Sequence, residues 1–173
     1  MRIAFFDLAA TLLATGMLAT AGCSCPYDTP PPPELMLAFS PDTLASGGVG
    51  FRRAEVRTAY LVRYGAADFQ SLIDTLRQPT AATANSVKPV LVVFYGPGYA
   101  PQFAVPTYVS QGVFARSFRL VVPAASRTYA ITDIVLKEEP GQNRCDGYRI
   151  TRREATVNGQ LRDGVNNAPV LTK

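Results

Sequence analysis

Arginines supply most of the chemistry this chain can offer. Only three of its 17 Lys+Arg residues are lysines, and Arg144, Arg149, Arg152 and Arg153 crowd one stretch. On a strand, Arg149 and Arg153 share one face and Arg152 takes the other. Such a pair can grip the phosphate or carboxylate of lipopolysaccharide or an acidic glycan. Its plainer role is a charged edge strand that resists aggregation. A second feature runs from Phe94 to Phe103, where Gly96, Pro97, Gly98 and Pro101 interrupt Tyr95, Tyr99 and Phe103. A loop of this kind can stack rings on a sugar face, or fold them back onto the end of a domain.

Several reaction classes are excluded. There is no histidine, which removes Ser-His-Asp and Cys-His catalysis and His-ligated metals. No Gly-x-Ser-x-Gly, Ser-x-x-Lys or P-loop pattern occurs, and Gly47-Gly48-Val49-Gly50 reads as a loop before a strand. The carboxylates Asp42, Glu55, Asp74, Asp133, Glu138, Glu139, Asp146 and Asp163 show no grouping in sequence. Two of them would make a hydrolase only by meeting in space. Glu138-Glu139 before Pro140-Gly141 reads as a solvated turn or a weak calcium contact. No catalytic residue, metal ligand or cofactor is assigned.

Residues 1–22 read as an export signal, expected to be a signal-peptide helix. Arg2 and Asp7 precede an uncharged Leu- and Ala-rich run from Leu8 to Ala21, too short to span a bilayer. The run ends Leu18-Ala19-Thr20-Ala21-Gly22-Cys23, which resembles the lipobox of bacterial lipoproteins, with Thr20 where that family prefers Leu. The resemblance implies acylation of Cys23 and anchoring in a membrane. Ser24 after the cysteine then implies the outer membrane. Ala19-Thr20-Ala21 is also an ordinary cleavage site, which would give a secreted or periplasmic soluble protein.

Residues 23–34 carry Pro30 to Pro33, a stiff polyproline tether. With Cys23 lipidated, Cys25 and Cys145 remain as an expected disulfide in an oxidising compartment, against two free thiols or pairing between chains.

Residues 35–173 form the expected folded domain. The chain is 47% hydrophobic and 17% charged with a net charge of +4, so it can fill a core. Prolines and glycines punctuate it at the spacing of short strands. Glu55–Tyr64 reads as a strand with Val56, Thr58, Tyr60, Val62 and Tyr64 inside and Arg57 and Arg63 outside. Val87–Tyr95 reads as a central strand covered on both faces. Strands are also expected at 114–122, at 128–137 with a bulge near Asp133, at 148–157 and at 170–171. Asn158-Gly159 signals a type I′ hairpin. Residues 68–76 fit an amphipathic helix and an irregular strand equally. The expected fold is all-β, an antiparallel β-sandwich that is immunoglobulin-like in a loose sense, with a small barrel as the other architecture.

Three further stretches join the lipobox and stalk in a wider likeness. They are Arg57–Tyr64, Val122–Tyr129 and the hairpin from Cys145 to Gly159. Together they resemble small exported lipoproteins of Bacteroidetes-type bacteria. That resemblance implies an exported β-sandwich and supplies no functional residues. The expected function is therefore a lipid-anchored envelope protein with a non-catalytic binding or structural role. Its partners would be the membrane and a glycan or envelope protein, with no nucleic acid. A carbohydrate-binding module built on the Tyr95–Phe103 loop is the second reading, and a hydrolase the third.

Overall fold

A computed structural model describes residues 34–42, 48–80, 89–97, 100–110, 112–141 and 147–173. The export signal and nearly all of the tether lie outside them. The chain divides into two units. One comprises residues 1–30 and 140–147, of which 140, 141 and 147 are described; there the Gly141 N–H donates to the Gly147 carbonyl at 2.7 Å. The other comprises residues 31–139 and 148–173 and holds the all-β fold.

That unit is sandwich-like. Six strands lie in the order β11-β10-β9-β8-β2-β3. They are β2 (Tyr60–Tyr64), β3 (Leu72–Arg77), β8 (Ser117–Val122), β9 (Arg127–Pro140), β10 (Tyr148–Val157) and β11 (Gln160–Asp163). Four more lie in the order β12-β1-β5-β4: β1 (Leu35–Phe39), β4 (Val93–Phe94), β5 (Gln102–Val105) and β12 (Val170–Leu171). A separate hairpin joins β6 (Tyr108–Ser110) to β7 (Val113–Phe114). One short helix, α1 (Arg53–Val56), precedes β2.

One apolar core serves both large sheets. Leu35, Leu37 and Phe39 of β1 and Phe103 and Val105 of β5 share it with Leu61, Phe118, Leu120 and Ile131. Phe39 packs against Phe51 and Phe103 with ring centroids 5.3 and 5.2 Å away. The β10–β11 turn matches its sequence signal. Asn158 and Gly159 take φ of 49° and 79°, the left-handed pair that a type I′ turn demands. The Asn158 side chain also accepts the Ala130 N–H at 2.8 Å, tying the turn to β9. Gly50 has a different reason to be glycine: a Cβ there would collide with the Pro41 carbonyl, beside which Phe51 forms an isolated bridge.

Three expectations are corrected and one is decided. Residues 53–56 are helical, so Val56 enters the core from a helix and the strand starts at Tyr60. Within β2 the faces are inverted: Leu61 and Arg63 are buried while Tyr60, Val62 and Tyr64 are half-buried on the outside. The outer row is shielded by arginines. The Arg77 guanidinium lies 4.8 Å from the Tyr60 ring centroid, and Arg119 lies over Tyr64 and Phe69. The apolar run before Tyr95 supplies only the two-residue β4 at a sheet edge, with Val92 and Phe94 exposed. Residues 72–77 are strand, not helix, entered through a turn in which Phe69 takes φ of 62°. Asp133 takes φ of 51°, which breaks the alternation of β9 where the sequence faces fail to separate.

Arg63 is the buried cation of this core, 2% exposed. On β3 its cross-strand partner is Asp74, and on β8 it is Phe118. Its Nε and Nη2 donate to the two Asp74 carboxylate oxygens at 2.7 and 2.5 Å, and Nη1 donates to the Tyr108 carbonyl at 3.2 Å. Removing the acid would leave a guanidinium stranded among apolar side chains. Asp74→Asn is therefore expected to cost about 3 kcal/mol, near the low end for a broken buried pair because Asp74 keeps partial contact with water. Chemical denaturation measures it. Replacing both residues by apolar ones, Arg63→Met with Asp74→Leu, is expected to cost less than the single change.

Candidate functional site

The most chemically loaded concavity lies beside α1. It is an open cleft of about 480 Å³ lined by Arg57, Gln78, Pro79, Thr80, Val92, Val93 and Tyr95. Local sequence explains how the cations reach it. Arg53 and Arg57 are spaced i, i+4 across a single helical turn, which puts both on one side. Glu55 points its charge elsewhere: its carboxylate accepts the Arg52 N–H at 2.7 Å and pairs with Lys173 at 2.9 Å. The Lys173 ammonium, foremost, holds the Glu55 carboxyl below its ordinary range. Gln78 is an anchor, since its amide donates to the Val56 and Ala59 carbonyls at 2.6 and 3.2 Å and fixes the end of α1 against β3.

Tyr95 is the centre of this site. Arg53 stacks over its ring at 4.9 Å. Its hydroxyl is buried and has no hydrogen-bond partner among the described residues. Burial pushes the phenol above its ordinary range, while the positive charges of Arg57 and Arg53 pull against that rise. Among the described residues, no carboxylate lines the cleft. A buried O–H donor without an acceptor, flanked by guanidinium groups, is satisfied by an anionic oxygen.

The remaining sequence candidates separate. Phe103 is fully buried between β1 and β4 and packs on Phe39, so its ring is a core element and is not offered to a ligand. The Tyr95–Phe103 loop thus does not present three rings together. Arg149 is exposed near the start of β10. Arg153 is half-buried; its Nη1 reaches the Gly164 carbonyl at 3.5 Å and its Nε is buried without a partner. Four residues apart on one strand, these two stand about 13 Å from each other at the backbone, too far to clasp one small anion without bending toward it. Arg152 is paired with Glu154 at 2.8 Å, which raises its pKa. Cys23, Cys25, Tyr99, Arg144 and Cys145 lie outside the described residues.

The carboxylates left open for a hydrolase are largely engaged. Asp74 serves Arg63, Glu55 serves Lys173, and Asp42 lies within ion-pair reach of Arg52 and Lys173. Asp68 and Asp163 accept backbone N–H groups two residues on. Among the described residues no group of three or more His, Cys, Asp or Glu side chains could hold a metal ion.

Sequence reading placed Arg57 on a strand and attached no role to Arg53. The signal available was their i, i+4 spacing with Glu55 between them, hidden because the segment alternates well enough to pass for a strand.

Alkaline titration tests the electrostatics. Arg57→Gln removes a cation that favours the phenolate, so Tyr95 should ionise at still higher pH, read as the ultraviolet difference from Tyr95→Phe. The linkage has a definite sign. A phenol whose folded pKa lies above its unfolded value contributes stability that is lost as pH rises past about 10. Tyr95→Phe should therefore flatten the fall of stability above that pH.

Compared with known proteins, the chain matches no family model, no curated protein and no solved structure.

Proposed function

We propose that this chain is an exported, lipid-anchored protein of the bacterial outer membrane whose β domain binds an anionic ligand without transforming it. The observation that carries the binding half is the Tyr95 hydroxyl, buried in a cleft lined by Arg57 and capped by Arg53, with neither a hydrogen-bond partner nor a carboxylate beside it among the described residues. An oxygen of a carboxylate or phosphate on an envelope glycan supplies the missing acceptor and the counter-charge together. This narrows the carbohydrate-binding alternative to acidic sugars, and moves its centre from the loop rings to Tyr95 and the α1 arginines. The anchoring half rests on the Ala21-Gly22-Cys23 motif and the proline tether behind it. Engagement of the carboxylates by cations and backbone amides favours binding over hydrolysis.

Two measurements test the two halves. Intact mass of the protein taken from bacterial membranes should show an acylated Cys23, and the same non-reduced spectrum shows whether Cys25 and Cys145 have lost two hydrogens. A free N-terminus at Gly22 in the soluble fraction would sink the anchor. Calorimetric titration with oligogalacturonate should show salt-sensitive binding, weakened about tenfold by Arg57→Gln and by Tyr95→Phe and unchanged by Arg149→Gln. Loss of binding in Arg149→Gln alone would move the site to β10.

A further inference from the structure

The hairpin of β6 and β7 belongs to neither large sheet, and a two-stranded ribbon alone is marginally stable in water. Here it is held firmly. The buried Arg63 donates to the Tyr108 carbonyl and Val109 packs against the core, while the Ala115 N–H donates to the Thr107 carbonyl at 2.8 Å and closes the two arms on each other. Among its described residues the hairpin turns three large apolar side chains outward beside Ser110: Tyr108, Val113 and Phe114 are 56%, 44% and 57% exposed. The Tyr108 and Phe114 rings meet edge to face at 5.7 Å, so they form one surface and not two scattered residues.

The stretch of sequence that contains the hairpin is basic. Between Asp74 and Asp133 the chain contains no Asp or Glu, while it carries Arg77, Lys88, Arg116, Arg119 and Arg127. Arg116 is exposed two residues beyond Phe114, its backbone N–H fixed to the Tyr64 carbonyl at 2.8 Å. At the foot of the hairpin lies an open cleft of about 400 Å³, where Thr107, Ala115 and Arg116 face Ile134 and Leu136. Asp133 also borders that cleft, with its carboxylate accepting the Thr132 hydroxyl at 2.8 Å.

We propose that the β6–β7 hairpin seats on an anionic bilayer surface, with Tyr108, Val113 and Phe114 entering the headgroup layer and Arg116 meeting the lipid phosphates. The chemistry matches that occupant. Aromatic and aliphatic side chains favour the boundary between headgroups and acyl chains, and a guanidinium beside them is attracted by anionic lipid. Rigid presentation by Arg63 lowers the ordering cost of docking. The contact goes beyond the acyl anchor, because it orients the domain against the bilayer whatever holds the chain near it.

The chain contains no tryptophan, so one introduced tryptophan is an unambiguous reporter. Phe114→Trp places it on the hairpin, and Leu161→Trp on β11 is a control at a still more exposed position. The whole mature chain is mixed with phosphatidylglycerol vesicles whose acyl chains carry bromine. The tryptophan at position 114 should shift to the blue and be strongly quenched, more weakly as salt rises, while that at 161 stays unquenched. Tyr108→Trp should repeat the result, which guards against a folding defect peculiar to one variant. Equal quenching at 114 and 161 would mean that the tether alone holds the domain near lipid, and would overturn the proposal. So would an unquenched position 114, or a blue shift without vesicles that grows with protein concentration, which would assign the hairpin to a second copy of the chain.

Discussion

A guanidinium inside an apolar core is unfavourable unless acceptors meet it, and Arg63 is met by acceptors from two parts of the chain. Asp74 closes the fork from the edge strand β3 and the Tyr108 carbonyl comes from the separate hairpin, while Phe118 stands opposite Arg63 in the register of β8. Each partner is fixed by the arginine as much as the arginine is by them. The pairing register of β2 with β3 follows, because a one-residue slip would point Asp74 to the wrong face and leave the charge alone. The hairpin is tied to the same group through the Tyr108 carbonyl. Net stability from such a pair is small compared with what an apolar replacement would give. Its value lies in the arrangement it enforces.

With Arg63 turned inward, β2 must show Tyr60, Val62 and Tyr64 to the outside. The protein handles the tyrosines of that half-buried row with arginines rather than with a third layer. Arg77 covers Tyr60, and Arg119 covers Tyr64 and Phe69. Arg53 treats Tyr95 in the same way at the cleft. Each contact contributes about 0.5–1 kcal/mol at an exposed site. A stacked guanidinium keeps its N–H edge free, so the residues that shield the rings also furnish the surface with oriented donors. This links the high arginine share of the sequence to the construction of the sheet.

The sequence revealed the fold wherever alternation and turn chemistry agreed. Phe118, Leu120 and Val122 point inward as their spacing predicts, and Asn158-Gly159 makes its hairpin. It misled where polarity was taken as a proxy for exposure. Arg63 looks like a surface residue in a period-two pattern, and only the three-dimensional meeting with Asp74, eleven positions away, makes its burial affordable. Phe103 looked like a loop aromatic because glycines and prolines precede it, yet it pairs with Leu37 of β1 and is core. The cleft was half legible. Tyr95 stood out by its neighbours, whereas Arg53 and Arg57 reach it through one helical turn too short to announce itself by periodicity. The exposed hairpin residues Tyr108, Val113 and Phe114 gave no signal, since apolar letters in a strand read as interior by default.

The pairing of β1 with β12 has a consequence in time. Ala38 lies beside Val170 and Phe39 beside Leu171, in parallel, across about 130 residues of chain. β1 thus keeps one edge open until almost everything between the two strands has been made. Contacts of such long range close slowly, and an unpaired apolar edge recruits neighbours while it waits. A nascent chain of this design stays incomplete and vulnerable throughout its synthesis, and an extended, unfinished chain is also the form that can be threaded through a narrow pore.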